Sequence, residues 1–257
     1  MRQTQHRAMC YHARLSQPPE PAMRLDKFLA DTTDLTRSLA TKAVKQGRVL
    51  VNGDKPKSAA VKIADTDVVT LDGEALTLES GFRYIIMNKP AGYVCTHRDS
   101  THPLVFDLLE DINKPRDLHT VGRLDVDTTG LLLITDDGQW SHILTSPKRH
   151  KPKVYRAWLA EDLCDEAELR FERGILLEDD DTPTLPAQLQ RISPREVLVT
   201  IHEGRYHQVK RMFAALGNHV EKLHRESMGG LELPADLAVG EYRALTEEEI
   251  ARAIAVG

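Results

Sequence analysis

The chain has 257 residues, of which 41% are apolar and 28% charged, and its formal net charge is −5. That balance belongs to a globular protein with a buried core and excludes a disordered chain. Its apolar runs, such as residues 131–134, fall far short of the roughly 20 residues needed to cross a bilayer, so no membrane span is expected.

Residues 1–22 lack the apolar segment of a secretory signal. Their Pro-rich end reads as a flexible extension outside the fold, with Met23 as an alternative start. Cys10, Cys95 and Cys164 stand apart with no CxxC spacing, which argues against a disulfide framework and a zinc site and makes the cytoplasm the expected compartment. Between Arg24 and Lys62 there are nine basic and four acidic residues, a local +5, whereas residues 161–181 hold ten acidic and two basic, a local −8. A chain so polarised can offer nucleic acid a basic face despite its negative total.

In the basic stretch Leu25, Phe28 and Leu29 follow helical spacing, Thr36 suits the N-cap of a second helix, and Gly47 suits its stop. Val49 and Val51 then alternate into Asn52-Gly53, a hairpin signal. The pattern predicts a two-helix unit with a small sheet over residues 23–81, with residues 65–81 as closing strands and a linker. Arg24, Lys27, Arg37, Lys42, Lys45, Arg48, Lys55 and Lys57 are its candidate RNA contacts.

A second domain is expected over residues 82–257. Residues 84–87 read as a short strand entering the turn Asn88-Lys89-Pro90-Ala91-Gly92, and Val197, Val199 and Ile201 alternate as on another strand. Val209, Met212, Phe213 and Leu216 recur at i, i+3, i+4 and i+7, one amphipathic helix ended by Gly217. Strands and helices mix without a regular βαβ period, which predicts an α+β fold with a mixed, largely antiparallel sheet. Neither GxGxxG nor GxxxxGK[ST] occurs, so the sequence makes no case for a dinucleotide or a nucleoside triphosphate.

The stretch GRLDVDTTGLLLITDDG, from Gly122, concentrates the chemistry. DVDTT fits the DxDxT pattern of Mg2+-dependent phosphatases, with residues 178–181 as further acids, but the preceding LHTVGRL is only half apolar where such a site follows an apolar strand. Residues 125–136 also imitate a Ca2+ loop, yet the twelfth place is Asp and the flanks are not helical. A third reading sets Arg123 and Asp125 as cation and anion at the mouth of a buried strand, suited to gripping a phosphodiester and attacking its sugar. Asp127 then bonds the Thr-Gly backbone of its own turn, and Asp136 and Asp137 form the next turn.

VGRLDVDTTGLLLITDDG resembles the signature of the RsuA-type pseudouridine synthases. NKPAG from Asn88, KVY ending at Tyr155, EGRYHQVKRMFAALGNHV from Glu203 and LHRESMGGLEL from Leu223 match the family in order across most of the second domain. MRLDKFLA to VLVNG resembles the alpha-L RNA-binding domain shared with a small-subunit ribosomal protein. The resemblance implies a monomer, without cofactor or metal, that isomerises one uridine of 16S rRNA, free or in the assembling small ribosomal subunit.

It also implies roles. Asp125 is the nucleophile or base that triggers glycosidic cleavage, Lys210 its cationic partner, and Tyr155 the ring that stacks on the base. Arg123 holds the flipped nucleotide, and Leu231 is the apolar residue packed by the site. Helical spacing sets Lys210 beside the apolar stripe of its helix and Arg211 nearly opposite. KRHKPK, residues 148–153, is expected as a second RNA contact through Lys148 and Lys153. A non-catalytic RNA-binding assembly factor is the alternative outside the enzymes.

Overall fold

The computed structural model describes residues 23–33, 35–64, 66–77, 81–110, 112 and 117–255. The N-terminal extension with Cys10, and residues 65 and 78–80 of the linker, lie outside them. The chain divides into two compact units that meet in sequence between Gly81 and Phe82. No helix among the described residues is long and apolar enough to cross a membrane.

The first unit holds β1 (Met23–Arg24), α1 (Leu25–Thr32), α2 (Arg37–Lys45), β2 (Val49–Val51), β3 (Lys62–Ile63), β4 (Val69–Leu71) and β5 (Glu74–Leu76). β1 pairs with β3, and β2, β4 and β5 form an antiparallel sheet in that order. Leu25, Phe28 and Leu29 of α1 pack on Ala40, Ala43 and Val44 of α2 and on Val49, Ile63 and Val69 of the strands. Thr36 caps α2 by accepting from the Leu39 N–H at 3.3 Å. Gly47, at φ +75°, lets the Arg48 N–H turn back to the Ala43 carbonyl, a Schellman stop.

The Asn52-Gly53 turn forms with both residues at positive φ, but it closes a single bridge, Val51 to Asp54. Pro56, which would stand opposite Val49, has no N–H to continue a ladder, and β2 pairs with β4 instead. The hairpin comes one turn later, at Asp72-Gly73 between β4 and β5.

The second unit runs β6 (Tyr84–Lys89), β7 (His119–Thr120), β8 (Thr129–Thr135), α3 (Gly138–Thr145), β9 (Lys153–Leu159), α4 (Ala167–Arg173), β10 (Gln188–Ser193), β11 (Glu196–Ile201), α5 (Gln208–Ala214), β12 (Val220–Met228), β13 (Leu231–Glu232), β14 (Tyr242–Ala244) and α6 (Glu247–Ala255). Its sheet has the order β10-β11-β9-β12-β8-β6-β14, with β13 beside β12 and β7 beside β8. Every pair is antiparallel except β8 with β12, so the sheet is mixed and largely antiparallel. The central β8 is buried on both faces, which explains its unbroken apolar run. β9 alternates instead, burying Tyr155, Ala157 and Leu159 on one face.

Trp140 and Leu144 of α3 and Ala253 of α6 pack on Ile86, Leu131 and Leu133. Elsewhere α4 meets α5 through Phe171 and Phe213, with ring centroids 5.1 Å apart. β6 runs two residues beyond the predicted strand because Asn88 and Lys89 still pair with Leu131 and Gly130. At the parallel junction Gly130 sits at φ +101°, and a Cβ there would collide with the backbone O and N of Arg225. The buried stripe of α5 includes Val209, Met212 and Phe213, as its period predicts.

Candidate active site

Residues 122–128 carry the acids of the signature into β8, and β6 supplies the fastening. Lys89 is fully buried, and its Nζ donates to the main-chain carbonyls of Pro90 (2.9 Å), Asp125 (3.1 Å), Val126 (3.4 Å) and Thr128 (2.8 Å). Burial pushes its pKa below the ordinary lysine value, against the pull of Cys95, Asp127 and Asp125. The Gly92 N–H donates to the Val126 carbonyl at 2.7 Å, and the Leu124 N–H to Cys95 Sγ at 3.5 Å. The NKPAG stretch is thus the clamp of the acidic loop.

The four acids part ways. Asp125 Oδ1 lies 3.4 Å from His207 Nε2, and its Oδ2 lies 3.4 Å from Lys210 Nζ. Lys210 also binds Asp127 Oδ1 at 2.6 Å. The Asp127 carboxylate thus takes Lys210 and its own backbone N–H, in place of the Thr-Gly backbone expected from the sequence, and the turn is closed by the Thr128 N–H on the Asp125 carbonyl. Burial pushes the Asp127 carboxyl up, but the Lys210 hydrogen bond and charge, with His207, outweigh it and hold it below the usual range. Asp137 caps α3 through the Gln139 and Trp140 N–H groups, the local role read from the sequence, whereas the Asp136 carboxylate leaves its turn and accepts from the N–H and guanidinium of the distant Arg83.

Asp125 and Lys210's neighbours enclose a pocket of about 180 Å³. Tyr155 and Lys153 line it two residues apart on β9, with Arg225 of β12 beneath and Val209, Leu223 and Met228 as apolar wall. Tyr155 is 8% exposed, and its hydroxyl accepts from Arg225 Nη1 at 3.5 Å. Arg225 Nε donates to the Leu131 carbonyl at 2.7 Å. Two buried polar atoms of lining residues, Arg225 Nη2 and Thr128 Oγ1, have no hydrogen-bond partner among the described residues. Arg123 is exposed at the pocket, with no hydrogen bond or ion pair among the described residues.

Several expected contacts lie elsewhere. Leu231 is 1% exposed in the core with Met228, Trp140 and Leu144 and does not line the pocket, because β13 folds back on β12 toward the α3 and α6 side. KRHKPK does not form one surface. Lys148 is exposed, Lys151 is buried with Nζ on the Ile254 carbonyl at 2.7 Å, and Lys153 begins β9 on the Tyr155 face. Burial, with Arg225 nearby, pushes Lys153 down to about 8. Of the acids at 178–181, Asp180 is committed to ion pairs with Arg205 and Arg211. Among the described residues no group of three His, Cys, Asp or Glu side chains could hold a metal ion.

On the first unit Arg24, Lys27, Arg37, Lys42, Lys45, Arg48, Lys55 and Lys57 are all exposed. Arg24 pairs with Asp26 and Arg48 with Asp72, while Arg24, Lys45, Lys55 and Lys57 rim one concavity. Sequence reasoning missed Lys89, Arg225 and His207 as parts of the site. A lysine just past the apolar run IIM was a signal for the first; His207, at φ +47°, breaks the period that would have placed it.

Residues 83–215 match the family model described as RNA pseudouridylate synthase, and residues 23–69 match that of the S4 domain. The chain is 55% identical over 229 residues to the ribosomal small subunit pseudouridine synthase A of Vibrio cholerae, covering 89% of this chain and 98% of that protein. It is 49% identical over 232 residues to the protein of the same name from Escherichia coli K12, covering 90% of this chain and all of that one. A crystal structure of a pseudouridylate synthase is 46% identical, with a TM-score of 0.64, and covers 90% of this chain and 100% of its own.

Proposed function

The chain belongs to the RNA pseudouridylate synthase family, and from that membership we propose that it converts a single uridine of small-subunit ribosomal RNA to pseudouridine. The observation that carries this reading is the Asp125 carboxylate, flanked at 3.4 Å by both Lys210 and His207, in a pocket that Tyr155 and Arg123 also line.

The target uridine leaves its stack at a cost of a few kcal/mol. Arg123, whose guanidinium is otherwise unengaged, takes the phosphate of the extruded nucleotide. Tyr155 stacks on the base, and such stacking contributes about 1–3 kcal/mol per base. Lys210 and His207 orient the Asp125 carboxylate, which acts at the ribose either by attack on the sugar or by removing a proton from it. Both routes break the bond from C1′ to N1. The base then turns, C5 joins C1′, and the proton on C5 goes to solvent while N1 gains one, so the product is an isomer. Arg225 Nη2 and Thr128 Oγ1 are buried donors for the base in this scheme.

The exposed cations of the first unit, with Lys148, bind the surrounding RNA through shape and backbone. The reading carries a cytoplasmic location and a monomeric enzyme that acts on free 16S rRNA or on the assembling subunit.

Small-subunit RNA labelled with tritium at C5 of uridine tests it. The wild type should release tritium from one position, and Asp125→Asn should lower the rate at least a hundredfold, roughly the low end of what a positioned acid–base group contributes. Equal release by both proteins would refute the assignment.

A further inference from the structure

Resting on that reading, we propose that Tyr206 is a stacking platform for a nucleobase next to the target uridine. Tyr206 is 71% exposed, more than any other large apolar side chain among the described residues. Its ring lies against that of His207, with centroids 3.7 Å apart and planes 23° from parallel. The imidazole covers one face of the phenol, and the exposure of the ring leaves the other for a partner. His207 in turn reaches Asp125 Oδ1 at 3.4 Å. The platform is therefore one residue removed from a side chain that touches the reactive carboxylate.

The turn that presents Tyr206 is held rigidly. Arg205 donates to Asp180 (2.8 Å), Glu203 (3.1 Å) and the carbonyls of Thr182 (2.8 Å) and Pro183 (2.6 Å). Its N–H donates to Gln208 Oε1 at 2.9 Å, and Arg211 donates to the Tyr206 carbonyl at 3.3 Å. His207 is kept at φ +47°, a left-handed conformation that side-chain-bearing residues avoid. None of this buries the phenol ring. The fixation serves to aim it.

An extruded nucleotide leaves its neighbours in the strand without a stacking partner, and an aromatic face restores one regardless of base identity. Tyr206 offers that face beside the pocket.

The test uses the full chain with Tyr206→Ala and Tyr206→Phe, on RNA whose base 5′ or 3′ of the target is, in turn, intact or abasic. Tyr206→Ala should raise KM about tenfold or more with a smaller change in kcat, and Tyr206→Phe should restore it. On the RNA abasic at the contacted flank, wild type should fall to the level of Tyr206→Ala, and the substitution should add nothing further. A kcat loss in Tyr206→Ala of the same size on every RNA would mean the ring only props His207, and would overturn the proposal.

2-Aminopurine placed at the same flank reads the stack without turnover: its fluorescence should be quenched by wild type and Tyr206→Phe but not by Tyr206→Ala. Quenching without tritium release would support the platform and sink the assigned reaction. Release with equal fluorescence in all three proteins would sink the platform alone.

Discussion

Lys210 and Arg211 follow one another in α5 and face different partners. Lys210 bridges Asp125 and Asp127, whereas Arg211 binds Asp180 and the carbonyls of Glu178 and Tyr206. Lys210→Met should lower kcat at least about a hundredfold. Arg211→Met should leave kcat within a few-fold and lower the denaturation midpoint only slightly, since Asp180 is solvent-accessible and keeps Arg205 as a partner. Tritium release and a denaturant titration of each variant check both halves, and equal losses of kcat would break the distinction. The helical period made this difference legible before any coordinates, because it fixes which side of α5 each residue takes. It could not reveal that Asp127 shares the lysine, since a contact 83 residues away in sequence leaves no periodic trace. The same limit hid Arg225 under Tyr155.

Among elements, the junction of β8 and β12 is the tightest fit. Gly130→Ala would drive a methyl group into the Arg225 backbone at a φ that alanine resists, and should destabilise the protein by about 3 kcal/mol or more. Urea unfolding measures this; a loss under about 0.5 kcal/mol would show that the strands can part to admit a side chain. The burial of β8 was readable from its unbroken leucines, and the α5 stripe from its spacing. Its parallel partner was not, because register belongs to two distant segments jointly. Asn52-Gly53 correctly marked a turn but not the strand to follow, which Pro56 forbids. KRHKPK looked uniformly solvated because a run of like residues masks the onset of a two-residue period at Lys153.

For the molecule as a whole, the formal −5 conceals a local +5 between Arg24 and Lys62, whose cations are exposed on the first unit. RNA affinity should therefore fall steeply between 50 and 200 mM salt, with a log–log slope set by the number of phosphates neutralised, roughly 0.7 to 0.9 per contact. Replacing Lys45, Lys55 and Lys57 by alanine should flatten that slope by about 2 while sparing kcat at saturating RNA. Filter binding across the salt series tests this, and an unchanged slope would remove those lysines from the interface. Charge distribution was legible at this scale because it needs no fold, only composition by segment. The clamp on the acidic loop needed coordinates. Lys89 hydrogen-bonds there to peptide oxygens, so the contour of the loop does not depend on which side chains it displays. Reactivity and scaffold are in that sense separable: the protein could exchange the chemistry at its centre by point substitution and still fold around the same frame.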